Sequence, residues 1–210
     1  PWIHTYKFNE AVQDKVILDL RYEAREVDQE LSDETSFDEL FEDTTRNLTP
    51  KAKKALQDRW GEMKNLFSSK DRVNRIVAQI TKDFQLITAL KQGWGNAMLV
   101  AGSIYQAYRF WAAFQETALA GKCAVVSSYD GTDPSLEDGY SGELKTESDY
   151  KYSTHKRMIG EKTSEEFEEW AKDEFINHPG KMKLLIVVDK LLTGFDAPSA
   201  TYLYIDKKMR

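Results

Sequence analysis

Leu184-Leu185-Ile186-Val187-Val188-Asp189-Lys190-Leu191-Leu192-Thr193-Gly194-Phe195-Asp196-Ala197-Pro198 is the stretch that decides the fold. Its first five residues are apolar without interruption, as in a strand buried on both faces, and they run straight into an aspartate. A short apolar segment follows, then Gly194, which lets backbone come close to a bound group. Asp196 can accept hydrogen bonds from a ribose hydroxyl or orient a basic partner, and Pro198 fixes the chain as it leaves. The G-x-D-x-P spacing is a weak motif by itself, and a plain strand-to-turn connection is the alternative reading.

Working outward, the neighbouring segments repeat the pattern. Ala97–Ala101 is a short apolar run, and Ser103 after it can cap a helix carrying Ile104, Ala107, Tyr108, Trp111 and Phe114, closed by Gly121. Cys123–Ser128 reads as a second strand. The stretch 130–161, rich in Asp, Gly, Ser and Tyr, reads as a long loop or insertion. Thr163-Ser164-Glu165-Glu166 fits a capping box, and Phe167, Trp170, Ala171 and Phe175 supply the next helix with a buried face. Leu184–Val188 is the third strand and Thr201–Ile205 the fourth. Strands alternating with helices, without tight hairpin signals, predict an α/β fold: a parallel sheet with helices on both faces. Ligands in such folds sit at the carboxyl ends of the strands, so the loops to inspect follow Ala101, Ser128 and Val188.

The leading part reads differently. Val16–Glu23 has strand character, Glu26–Glu39 is acidic and polar, and Thr49-Pro50 opens a helix with Ala52, Ala55, Leu56, Trp60, Met63 and Phe67 on one face. A further helix runs from about residue 69 or 71 to Leu90, carrying Val73, Ile76, Val77, Ile80, Phe84 and Ile87, and Gly93-Trp94-Gly95 stops it. The predicted organisation is a linking strand and mainly helical section over 1–92, then an α/β lobe over 93–210.

Composition bounds the possibilities. The 210 residues, 41% hydrophobic and 30% charged, suffice for one core, and no apolar run approaches the roughly 18 residues that span a bilayer. Pro1-Trp2-Ile3-His4 is neither a signal peptide nor a natural start, and the chain stops just after an apolar strand, so it reads as cut from something larger. A single Cys123 in an apolar stretch fits a small buried hydrophobe in a reducing compartment. His4, His155 and His178 are scattered without an acidic or Cys partner at ligand spacing, so no metal site is expected. A net charge of −6 argues against a surface coated in basic groups for DNA, although a few hydroxyls and amides can still touch phosphates.

Val187–Pro198 resembles motif V of superfamily 2 helicases and translocases, in the variant typical of the R (motor and restriction) subunit of type I restriction enzymes. Tyr202-Leu203-Tyr204-Ile205-Asp206-Lys207 is similar to the same family, where it leads into motif VI with its ATP-reaching arginine; Arg210 precedes that motif. Asn96–Ser103 with Ile104–Trp111 resembles the family's motif IV strand and helix. Ala11-Val12-Gln13-Asp14 and Leu20–Arg25 resemble its passage from the first motor lobe into the second. The resemblance implies the second RecA-like (P-loop NTPase-type) lobe of an ATP-dependent double-stranded DNA translocase. Two such lobes clamp ATP and Mg²⁺ between them, while specificity and methyltransferase subunits complete a cytoplasmic bacterial or archaeal complex. It places Gly194 and Asp196 toward the nucleotide, with Asp196 nearest the ribose. It places Val188, Asp189 and Thr193 near DNA or the link between the DNA and ATP sites. Ser103 would offer its hydroxyl and helix amides to a DNA phosphate, or serve as an ordinary N-cap.

The chain holds no G-x-x-x-x-G-K-[ST] loop and no strand-borne Asp-Glu pair for Mg²⁺, so no catalytic residue and no tightly bound cofactor are expected in it, and little ATP hydrolysis. Glu143-Leu144-Lys145 downstream of Asp130, Asp133 and Asp138 superficially matches a nuclease pattern, but its polar, Gly-rich surroundings lack the strands that would hold such groups, and it reads as a solvated loop. A lobe of another superfamily 2 helicase and a non-motor α/β nucleotide- or protein-binding domain are the alternatives.

Overall fold

The computed structural model describes residues 7–14, 21–25, 27, 70–132, 143–191 and 194–207. In chain order these form α1 (Phe8–Gln13), α2 (residues 70–86), α3 (Thr88–Gln92), β1 (Asn96–Ala101), α4 (Ile104–Phe114), β2 (Cys123–Val126), α5 (Glu143–Ile159), α6 (Ser164–Asn177), β3 (Leu184–Val187) and β4 (Ala200–Asp206). The described strands make one sheet in the order β2-β3-β1-β4, and every pairing is parallel. The α/β reading of the sequence is therefore what the chain adopts.

Period-two alternation sends the two sides of each strand into separate cores. Ala97, Leu99 and Ala101 of β1, with Leu184 and Ile186 of β3, face a core completed by Val73, Val77, Ile80 and Phe84 of α2 and by Tyr108, Phe110, Trp111 and Phe114 of α4. Met98, Val100, Leu185 and Val187 face the other side, where α6 contributes Phe167, Ala171 and Phe175. Residues of β1, β2 and β3 are buried throughout, which is why, apart from Asn96, they read as unbroken apolar runs rather than as alternations. Cys123, 6% exposed, is a core residue, and burial pushes its thiol up to about 12. No described helix is long and apolar enough to cross a membrane.

Four expectations need correction. The stretch 130–161 is not a loop throughout: Glu143–Ile159 is helical. The residues α5 turns inward include Thr154 and His155, 4% and 3% exposed, so its buried face carries no apolar period to read. The helix expected to reach Leu90 breaks at Ile87, which takes an extended conformation before α3 begins. The break leaves Leu86 exposed but turns Ala89 and Leu90 into the core, a direction that a straight continuation would miss. Trp170, expected on the buried face of α6, is 40% exposed and tilts against Phe167. Arg21–Glu23, the end of the predicted leading strand, has no regular structure, while 16–20 and the predicted helix over 50–67 lie outside the described residues.

Phe175 has no exposed surface and its ring stacks on Phe195. Phe175→Ala is expected to lower unfolding free energy by about 3–5 kcal/mol, whereas Trp170→Ala should stay within about 0.5 kcal/mol; urea unfolding of the two variants measures both.

Candidate functional site

The sheet register brings the candidate loops together. Val126 pairs with Val187, Val187 with Val100 and Val100 with Ile205, so all four strands end at one level. Their carboxyl ends form a single edge, where a doubly wound sheet binds its ligands.

After β1, the turn Gly102-Ser103 leads into α4. Gly102 N–H donates to Gln106 Oε1 at 2.9 Å, and a Cβ at this position would meet that same oxygen at 2.9 Å. Ser103 is exposed and extended, and its Oγ accepts from Gln106 N–H at 3.2 Å as the N-cap. With no acidic side chain in its first turn, α4 points the positive end of its dipole at the edge.

After β3, the chain is held at several points that flank the exposed Gly194 and Asp196. Val188 is buried; the Asp189 carboxylate is 79% exposed and pairs with Lys207 Nζ beyond β4. Lys190 Nζ donates to Glu168 Oε2 of α6 at 2.6 Å, and Lys172 Nζ to Glu168 Oε1 at 3.1 Å. Burial raises the Glu168 pKa, but the two lysines outweigh it and hold the carboxyl below its ordinary value. Leu191, with φ of 64°, sits in the left-handed region that a branched residue rarely adopts, and it packs on the α6-side core together with Phe195 and Ala197. Phe195 stacks on Phe175 with centroids 6.1 Å apart. Between these anchors Gly194 has φ of 72° and is exposed, and so is Asp196. The Asp196 carboxylate makes no hydrogen bond or ion pair among the described residues. Thr193 lies outside them.

After β2, Ser127–Thr132 is built around His155 of α5. Ser164 Oγ donates to the Asp130 carbonyl at 2.8 Å, so its oxygen accepts from His155 Nε2–H at 2.9 Å. That tautomer leaves Nδ1 to accept the Tyr108 hydroxyl at 2.7 Å. Tyr108 and Tyr129 both meet the imidazole edge to face, and a Cβ on Gly131 (φ 80°) would lie 2.8 Å from His155 Cδ2. The Tyr108 pKa is raised by burial. His155 is held below the ordinary histidine value by burial and by Lys156, partly opposed by Asp130.

Of the sequence candidates, Ser103, Val188, Asp189, Gly194 and Asp196 therefore stand on the carboxyl edge or on a loop leaving it. Glu143 and Lys145 lie in the first turn of a helix rather than on a strand, so the nuclease-like spacing has no strand to hold it, and Asp133 and Asp138 fall outside the described residues. One expectation about histidines fails. His178 does have acidic neighbours: its Nδ1 lies 3.3 Å from Glu174 Oε1, and ligand atoms of Asp173, Glu174 and His178 gather within 4.8 Å at the far end of α6. His178 follows Glu174 by four positions, a helical spacing that makes this pair legible in retrospect. Sequence reasoning also passed over Glu168, Lys190, Tyr108 and the network role of His155, whose partners are distant in the chain.

Residues 93–210 match the family described as type I restriction enzyme subunit R domain 3, and residues 1–54 match the SWI2/SNF2 ATPase family. Residues 55–92 lie between the two. The whole chain is also similar, at 27% identity over 212 residues, to a protein of Methanocaldococcus jannaschii described as a putative type I restriction enzyme MjaIXP endonuclease subunit. The chain spans 18% of that protein's length.

A neutral, buried His155 makes stability depend on pH in a definite direction. The unfolded histidine takes up protons first, so its contribution is complete above about pH 6.5 and declines as pH falls below that value. It levels off once pH is below the depressed native value. Lowering pH from about 7.5 to about 5 should therefore shift the urea midpoint further in the wild type than in His155→Gln.

Proposed function

From the premise that this chain belongs to the family of type I restriction enzyme subunit R domain 3, we propose that it is the second motor lobe of an ATP-driven double-stranded DNA translocase within a restriction complex. The observation that carries this reading is the shared carboxyl edge. There the Asp196 carboxylate, with no partner among the described residues, lies beside a positive-φ Gly194 on the loop after β3, while β1 delivers the capped N-terminus of α4 to the same edge.

Each group has a chemistry suited to one role. Asp196 would accept from a ribose hydroxyl, and Gly194 would admit backbone close to the nucleotide. Ser103 and the first amides of α4 would meet a DNA phosphate without any basic surface, which suits a chain with a net charge of −6. Val188 and Asp189, with Thr193, would connect the two. The residues described here suit a ribose and a phosphate but not the triphosphate and Mg²⁺. Those need a phosphate loop and metal-binding carboxylates from a first lobe, for which the match of 1–54 to an ATPase family argues in the longer polypeptide. Specificity and methyltransferase subunits would be the partners of the whole assembly, and the cytoplasm its compartment.

In the full-length protein, Asp196→Ala should slow DNA-stimulated ATP hydrolysis about tenfold, the value of roughly one charge-assisted hydrogen bond. Unchanged steady-state kinetics would remove Asp196 from the site. Residues 1–210 expressed alone should show no DNA-stimulated hydrolysis in the same assay; turnover at the rate of an intact motor would overturn the assignment as half a site.

A further inference from the structure

Helix α2 lies in the interval between the two family matches, yet its polar side chains reach into both. Near its end, the Asp83 carboxylate, 14% exposed, receives Arg25 Nη1 at 2.6 Å from the leading stretch. The same Oδ2 receives the Tyr204 hydroxyl at 2.9 Å from β4. Glu23 steadies the guanidinium through Nε at 2.8 Å. At the other end of the helix, Arg72 grips Asp206, at the close of β4, through both terminal nitrogens, with Nη1 2.8 Å from Oδ2. Asp206 Oδ2 also accepts Gln106 Nε2 at 2.6 Å, and Gln106 Oε1 is the acceptor that orients the Gly102 amide at the start of the candidate phosphate-binding turn.

Val73, Val77 and Ile80 between these two polar ends, with Phe84 just beyond, seat the helix in the sheet's core. Its position is therefore not adjustable independently of the sheet. A forked Arg–carboxylate pair that is largely shielded from water holds direction as well as distance. Residues 21–25 are themselves exposed and have no regular structure, so the Arg25 contact is the described tie that fixes where they run.

We propose that α2 is a bracket: through Asp83 it fastens the ATPase-like leading stretch to the sheet, and through Arg72 it sets the Gly102-Ser103 turn. Asp83 and Arg72 are positioning residues in this arrangement, acting on Arg25 and, by way of Asp206 and Gln106, on Gly102. On the motor reading above, any hinge between the two lobes then lies on the amino-terminal side of Glu23.

The test uses the full-length polypeptide, with spin labels at the exposed positions 22 and 91 and peptide-resolved amide exchange over 102–107. Asp83→Asn and Arg25→Ala should broaden the distance distribution between the labels, and Arg25→Lys should restore most of its sharpness. Arg72→Ala should speed exchange over 102–107 about tenfold, the value of a hydrogen bond to a charged group. Arg72→Lys, which keeps the charge but loses the fork, should fall between. An unchanged distribution in both Asp83→Asn and Arg25→Ala, or unchanged exchange in Arg72→Ala, would overturn the bracket. Neither measurement needs ATP or DNA, so failure of the motor reading would leave both results standing.

Discussion

The parallel pairing of β1 with β3 is the contact on which everything else rests. Ala97 through Val100 lie beside Leu184 through Val187, and every residue of this double strand is buried. Such a pair is stable only if both faces are covered, which obliges the chain to send α2 and α4 to one side and α6 to the other. The register matters as much as the burial. A slip by one residue would turn Leu99 and Ile186 toward the α6 side and misplace every strand end. In the observed register, the turn after β1 and the loop after β3 emerge next to each other, and the candidate site is assembled by that adjacency.

The rigid sheet does not by itself hold the loop after β3. Its shape comes from contacts made by residues far away in the chain: Glu168 on Lys190, Lys207 on Asp189, and the ring of Phe175 under Phe195. These anchors hold Leu191 in a backbone conformation it would not choose, while leaving Gly194 and Asp196 open to water. A carboxylate on a loop tied down by such contacts needs less ordering when it binds, so less entropy is lost.

Three of the four strands were legible because burial on both faces leaves short apolar runs bounded by polar residues: Ala97–Ala101, Cys123–Val126 and Leu184–Val187. The caps were legible for an equally local reason, since Ser103 and Thr163 bond amides three residues on. Helix α5 was not, because it turns Thr154 and His155 inward to meet Tyr108 and Ser164, and a polar face seated in a polar network has no hydrophobic period. The break at Ile87 was hidden too, because the spacing of Val73 through Ile87 continues a helix that the core then redirects.

From residue types and spacing alone came the fold class, the starts of α2, α4 and α6, and the edge on which ligand chemistry would sit. All of these follow from interactions within a few positions or from the binary choice of water or core. The strand order β2-β3-β1-β4, the exposure of Trp170 and the grip of Arg72 on Asp206 were decided by the tertiary structure. The physical reason is range. Arg72 and Asp206 are 134 positions apart, and nothing in either neighbourhood marks a charge that will be shielded from water and paired until the sheet has brought the two together.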